Sequence, residues 1–289
     1  MRWGLRSADA AGGWLILERS KGVFVMRRIG VFDSGIGGLT VVRHIIPYAA
    51  GCELLYVGDT ARVPYGNRGP EAIRQYAREL TLYLCEQEVE LIVVACNTVS
   101  AVALEVVQAH SPVPVIDVVE PTVELTLRQT TEGRIGIIGT RATIASGIYE
   151  RLLRQRSEWP LEIYGKACPL FVPLVEEGWI ESPVTEQIAE FYLAPLREAG
   201  IDTLVLGCTH YPLLVPVLQR VLPDCRLVES GAAVAERLQA LGYASDQDGG
   251  AAQLVLHLTD EPGEALKHLL RRLQLVPADV RSIRLWEYV

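Results

Sequence analysis

LIVVACNTVS at residues 91–100 and TLVLGCTHYP at residues 203–212 decide how this chain folds. Each begins with a short apolar run, ends that run at a cysteine and passes into small polar residues. An apolar run without polar alternation suits a strand buried on both faces of a parallel sheet. Asn97 and Thr98 follow the first cysteine, and residues of these types are favoured where helices begin. Thr209 and His210 follow the second in a similar arrangement. Both cysteines are therefore expected at the C-terminal end of a strand, just before a helix, which is where open parallel sheets bind ligands.

Outward from these segments, apolar β-rich runs alternate with helical patterns, the signature of βαβ units. One series of strand-like runs lies at 28–33, 53–59, 91–95 and 113–117, and a second at 134–139, 161–167, 203–207 and 225–229. Helical patterns fall between them, as at 71–87 and 184–200, the latter ending on Gly200, a helix-stop residue. The two series correspond in order. RIGVFDSG (28–35) answers RIGIIGTR (134–141), ACNTVS (95–100) answers GCTHYP (207–212), and VPYG (63–66) answers VPLVEEG (172–178). Each cysteine is followed 21 residues later by an acid at a strand end, Asp117 and Glu229. Duplication explains these matched positions better than coincidence. Two related halves facing each other would set two thiols around one small molecule.

Composition narrows the function. With 27 Lys and Arg against 35 Asp and Glu, the formal charge is −8. No basic cluster offers the positive surface that a nucleic-acid backbone requires. A small anionic substrate remains open, since backbone N–H groups can hold one. No apolar stretch approaches the roughly 20 residues of a membrane span, and the N-terminal segment lacks the apolar centre of a signal peptide, so a cytoplasmic protein is expected. The six cysteines form no C-x-x-C pair, which leaves zinc-ribbon and thioredoxin-like readings without support.

Cys96 and Cys208 stand out by context. A thiol near the N-terminus of a helix, or beside an imidazolium, is expected to have a lowered pKa, and such a group exchanges protons near neutrality. Two such bases on opposite faces of one carbon are what racemisation of an amino acid requires. The alternative route, through pyridoxal phosphate on a lysine, has little to work with. The chain holds three lysines, Lys21, Lys166 and Lys267, none beside a phosphate loop. No cofactor and no metal are expected. DSGIGG (33–38) opens a helix but is neither a dinucleotide fingerprint nor a P-loop. Its glycines would let the backbone approach a ligand closely, Asp33 would reach toward Cys96, and His210 would polarise Cys208.

The motifs FDSGIGG (32–38), YVGDTARVPYG (56–66), ACNTVSA (95–101), GTRATIASGIY (139–149), CPLFVPLVEEG (168–178) and LGCTHYPLL (206–214) resemble glutamate racemases of the aspartate/glutamate racemase superfamily. The resemblance implies an α/β fold of two pseudo-symmetric parallel-sheet domains with the active site in the cleft between them. It implies a first domain of 27–119 plus 233–289, a second of 120–232, and an extension over 1–26 that is disordered or a mis-annotated start. Cys96 and Cys208 would be the acid/base pair, with Asp33 supporting Cys96, and Glu176 and His210 supporting Cys208. Substrate binding would fall to Asp33, Ser34, Tyr65, Gly66, Asn97, Thr98, Thr209 and His210, with hydroxyl donors from Thr140 and Thr143. The partner would be glutamate, the product D-glutamate for peptidoglycan, and the assembly a cytoplasmic homodimer without membrane or nucleic-acid partners. The region beyond about residue 240 matches only loosely. An aspartate racemase of the same superfamily, and a non-catalytic binding module with both cysteines buried, stand as alternatives.

Overall fold

Strand pairing sets the architecture. The computed structural model describes residues 27–242 and 251–285; the expectation for residues 1–26 falls outside them. The apolar runs form β1 (Arg27–Asp33), β2 (Cys52–Gly58), β3 (Leu91–Val94), β4 (Val115–Asp117), β5 (Arg134–Gly139), β6 (Glu162–Ala167), β7 (Thr203–Gly207) and β8 (Arg226–Glu229). Two further strands, β9 (Gln253–Leu258) and β10 (Asp279–Ser282), lie in the C-terminal part, where the sequence reading named no strands. One sheet runs β10-β9-β2-β1-β3-β4 and the other β6-β5-β7-β8. Every pairing among the described residues is parallel.

The order β2-β1-β3-β4 inside the first sheet is the order β6-β5-β7-β8 of the second. The duplication seen in the motifs is thus a duplication of topology. The first sheet is widened at its β2 edge by β9 and β10, strands from beyond the second sheet in sequence. In both sheets the chain moves first to one side of the opening strand and then to the other. Crevices at the C-terminal ends of strands form where this happens, here between β1 and β3 and between β5 and β7.

Side chains alternate across the first sheet. Ile29, Val31, Leu54, Tyr56, Leu91 and Val93 join one core cluster, while Phe32, Leu55, Val57, Ile92 and Val94 join another on the opposite face. Both faces are covered by helices, which explains why these strands are apolar without a polar period. The helix Pro70–Glu86 starts on a proline and turns Ile73, Ala77, Leu80 and Leu84 inward. Each large apolar side chain so buried contributes about 2 kcal/mol. The helix Pro183–Glu198 stops two residues before Gly200, whose φ of 65° lies in the left-handed region that glycine tolerates. Between the sheets, the helix Ser230–Ala240 packs on both Leu39–Ile45 of the first half and Val119–Gln129 of the second. Asp117, at the end of β4, accepts from the amides of Val119 and Glu120 at 2.6 and 3.1 Å and so starts that last helix rather than reaching a ligand.

Candidate active site

Asp33 is the last residue of β1, and Cys96 stands two residues beyond the end of the adjacent β3. Asp33 is fully buried and folds the DSGIGG turn around itself, its Oδ2 accepting from the amides of Gly35 (3.2 Å) and Gly38 (3.0 Å). Burial raises its pKa, opposed by the charge of His210 and by these amides. Its Oδ1 lies 3.4 Å from Thr209 Oγ1 of the other half. The glycines of this turn serve a purpose that differs from the expected approach to a ligand. A Cβ on Gly37 would come within 2.5 Å of both His210 Nδ1 and Thr209 Oγ1, so the turn is pressed against the second half. Thr40 Oγ1 reinforces this contact by donating to the carbonyl of Thr209 at 2.8 Å.

Cys96 occupies the N-cap position of the short helix Asn97–Val102, with Asn97 and Thr98 in its first turn rather than capping it. Its Sγ lies 3.5 Å from Ser34 Oγ. The expected lowering of this thiol's pKa is overturned: burial, and then the charge of Asp33, push it up to about 12. Hydrogen bonds from Ser34 and from the Val99 amide pull the other way. A helix of one and a half turns offers too little dipole to offset desolvation.

Cys208 directly follows β7, but it does not begin an α-helix as Cys96 does. A turn leads to a 3₁₀ segment, Tyr211–Leu214, and only then to the helix Val215–Val221. That turn folds His210 back, with Nδ1 4.0 Å from Cys208 Sγ. On its far side, His210 Nε2 meets Glu176 Oε1 at 3.2 Å, at the end of the helix Phe171–Glu176. Burial alone lowers an imidazole's pKa; Cys208 and Glu176 together outweigh it and carry His210 up to about 10. His210 is thus buried between Cys208 and Glu176, an arrangement that favours its protonated form.

Both thiols line one cavity. Its walls also include Ser34, Tyr65, Gly66, Asn97, Thr98, Thr140, Thr209 and His210, all expected from the sequence. Asp33, Thr143 and Glu176 stand behind this wall, in contact with Thr209, Thr140 and His210 respectively. Val63, Pro64 and Val172 complete it and were not anticipated. The signal was present in the matching of VPYG to VPLVEEG, which gives each half one valine. The free volume is about 20 Å³, enough for little more than one water. The walls must part to admit an amino acid.

Hydroxyls and an amide gather where the halves meet. Thr98 Oγ1 lies 3.0 Å from Thr140 Oγ1 and 3.4 Å from that of Thr143, and the latter two are 2.9 Å apart. Tyr149 donates to Asn97 Oδ1 at 2.6 Å. Asn97 Nδ2 is buried without a partner among the described residues, a deficit of about 1–3 kcal/mol that an anionic ligand in the cavity would relieve. Gly66 rests directly on Thr140, where a Cβ would come within 2.5 Å of the threonine Cβ. Among the described residues no group of three His, Cys, Asp or Glu is arranged to hold a metal, and Lys166 lies over the Phe191 ring at 6.0 Å, away from the cavity wall.

Residues 29–238 match the Asp/Glu/Hydantoin racemase family. Glutamate racemase of Chlorobaculum tepidum is 47% identical over 244 residues, covering 84% of this chain and 86% of that protein. The crystal structure of glutamate racemase from Francisella tularensis, in complex with D-glutamate, superposes with a TM-score of 0.83 at 32% identity, covering 91% of this chain and 99% of its own. That of Thermus thermophilus, in complex with β-chloro-D-alanine, superposes with a TM-score of 0.78 at 40% identity, covering 91% of this chain and 99% of its own. With its duplicated parallel sheets and a match over most of its length, the chain belongs to the Asp/Glu/Hydantoin racemase family.

Proposed function

We propose that this protein interconverts L- and D-glutamate by a two-base mechanism, with Cys208 and Cys96 on opposite faces of the substrate α-carbon. The observation that carries this reading is the single cavity lined by one thiol from each half. In the L-to-D direction, the Cys208 thiolate takes the α-proton and the Cys96 thiol delivers its own to the other face. The reverse reaction exchanges the two roles. His210 supplies positive charge at Cys208, and Glu176 holds its ring in place. Asp33 and Ser34 position the Cys96 thiol, and a substrate ammonium beside Asp33 would offset the part of that thiol's raised pKa that the Asp33 charge adds to burial. Asn97 Nδ2, with hydroxyls of Thr98, Thr140 and Thr209, would receive the substrate carboxylates. Thr143 orients Thr140, and Tyr65 and Gly66 close the cavity over the ligand.

The same reading places the domain division at 27–119 plus 233–289 and 120–232. It makes the enzyme a cytoplasmic homodimer that supplies D-glutamate to peptidoglycan. The test is incubation with L-glutamate in deuterated water, without added cofactor, following optical rotation and α-deuterium together. Loss of rotation with deuterium appearing in the D-enantiomer is expected. An unchanged L-glutamate sample with no deuterium uptake would overturn the reading in favour of a binding module.

A further inference from the structure

The residue that follows each thiol is held by a side chain from the opposite half. Thr209, after Cys208, lies with its Oγ1 3.4 Å from Asp33 Oδ1 of the first half. Asn97, after Cys96, accepts at Oδ1 from the hydroxyl of Tyr149 of the second half at 2.6 Å. Both Asn97 and Thr209 line the cavity, whereas Asp33 and Tyr149 stand behind its wall. Tyr149 is well anchored for such a task. Its ring is almost fully buried among Ile137, Leu153 and Val205 of the second half's core. It also lies against the last residue of β7, where a Cβ on Gly207 would come 3.4 Å from Tyr149 Cε2. Gly147, with a φ of 63°, separates the helix Arg141–Ala145 from the helix Ile148–Arg156, so Tyr149 sits in the first turn of the latter.

An asparagine amide has two unlike arms, an oxygen that accepts and a nitrogen that donates. Burial pushes the Tyr149 hydroxyl above the ordinary tyrosine range, so it stays a proton donor and calls for the oxygen arm of Asn97. The planar amide then turns its nitrogen arm away from Tyr149, and that Nδ2 is buried without a partner among the described residues. We propose that Tyr149 is a positioning residue for glutamate binding: its hydroxyl fixes the Asn97 amide with Nδ2 free for a substrate carboxylate. This role rests on the cavity being a glutamate site. Without the hydroxyl the amide is free to rotate, and an oxygen turned toward a carboxylate repels it.

The test compares the parent with Tyr149→Phe, Asn97→Ala and the double variant, by steady-state racemisation of D-glutamate below the melting transition of each. Tyr149→Phe should raise KM about tenfold, the size of one hydrogen bond to a charged group. Its kcat should fall less, as when a contact shared by ground and transition states is removed. Asn97→Ala should raise KM at least as much. Adding Tyr149→Phe to Asn97→Ala should change KM no further, because the hydroxyl acts through the amide and the two effects are not additive. The double variant leaves no amide oxygen without its donor, so it carries the comparison with Asn97→Ala even where Tyr149→Phe folds poorly. A parental KM in Tyr149→Phe, or a further rise of similar size in the Asn97→Ala background, would overturn the proposal and leave Tyr149 a packing residue. A parent that does not racemise glutamate would overturn the glutamate reading and this role together, whereas those variant results in an active parent overturn the role alone.

Discussion

Arg62 and Asp59 form an ion pair at the base of the loop that lines the cavity holding both thiols, with Arg62 Nε 2.7 Å from Asp59 Oδ2. Asp59 is fully buried and also accepts from Thr259 Oγ1 at 2.8 Å and from the Tyr65 hydroxyl. Arg62 donates in turn to Glu79, itself almost fully buried, and stacks 4.1 Å from the centre of the Tyr76 ring. One guanidinium therefore serves two buried carboxylates and fixes the segment that carries Val63, Pro64, Tyr65 and Gly66.

Removing that cation should be costly in two ways. Arg62→Met leaves two buried carboxylates without their partner, which destabilises by about 3–5 kcal/mol. It also frees the Tyr65 loop, so KM for glutamate should rise more than kcat falls. Arg62→Lys, which keeps the charge but loses the planar fork, should recover stability in part. Thermal melts and steady-state kinetics on both variants check this. An unchanged melting temperature in Arg62→Met would show that the cage carries no load.

Single replacement of either thiol tests the assignment of one base to each face. Cys96→Ser and Cys208→Ser should each lose racemisation by at least about 10³-fold, within the range associated with a positioned proton-transfer group. Each should retain one-sided elimination or exchange with a suitable analogue, and the two should prefer opposite enantiomers, Cys208→Ser working on D and Cys96→Ser on L. Shared preference in the two variants would remove the two-face arrangement.

The charge on His210 sets an alkaline limit. Its pKa is raised to about 10, so the imidazolium is favoured by the fold from below the ordinary histidine range upward. Both the stabilising interaction and the positive charge at Cys208 are lost as pH rises through about 10. Racemisation should decline over that interval, and His210→Asn should lower kcat while abolishing this limb. Because the substrates are enantiomers, with an equilibrium constant of one, kcat/KM must fall equally in both directions. pH profiles measured from L- and from D-glutamate check it, and an alkaline limb that persists in His210→Asn would assign the limit to another group.

Gly37→Ala isolates the fit between the halves. The added methyl would collide with His210 and Thr209 at 2.5 Å, and relief requires the DSGIGG turn to move away from the second half. A displacement of about 1 Å at a reacting site costs on the order of 10²-fold in rate, so kcat/KM should drop by about that factor, with a smaller change in melting temperature. Wild-type kinetics in this variant would show that the turn tolerates displacement freely.

Much of this molecule was legible in the chain alone. Apolar runs without polar alternation announce strands buried on both faces, and all eight expected strands form within two residues of the read positions. The internal correspondence of motifs announced the repeated strand order, because homologous segments bury the same pattern of side chains and so pair alike. It also brought ten of the anticipated residues to one cavity wall, since strand ends of parallel sheets converge on a crevice by topology. Local patterns did not reveal β9 and β10, whose short runs become strands only by adding to the exposed edge of β2. Nor did they reveal the protonation of Cys96: a helix start argues for a low pKa, whereas the burial and the neighbouring Asp33 that reverse it exist only after the chain has folded. Likewise DSGIGG reads locally as a turn open to a ligand. Only the packing of one half against the other makes Gly37 the point where His210 and Thr209 press in, because steric contact between segments more than 170 residues apart is a property of tertiary structure.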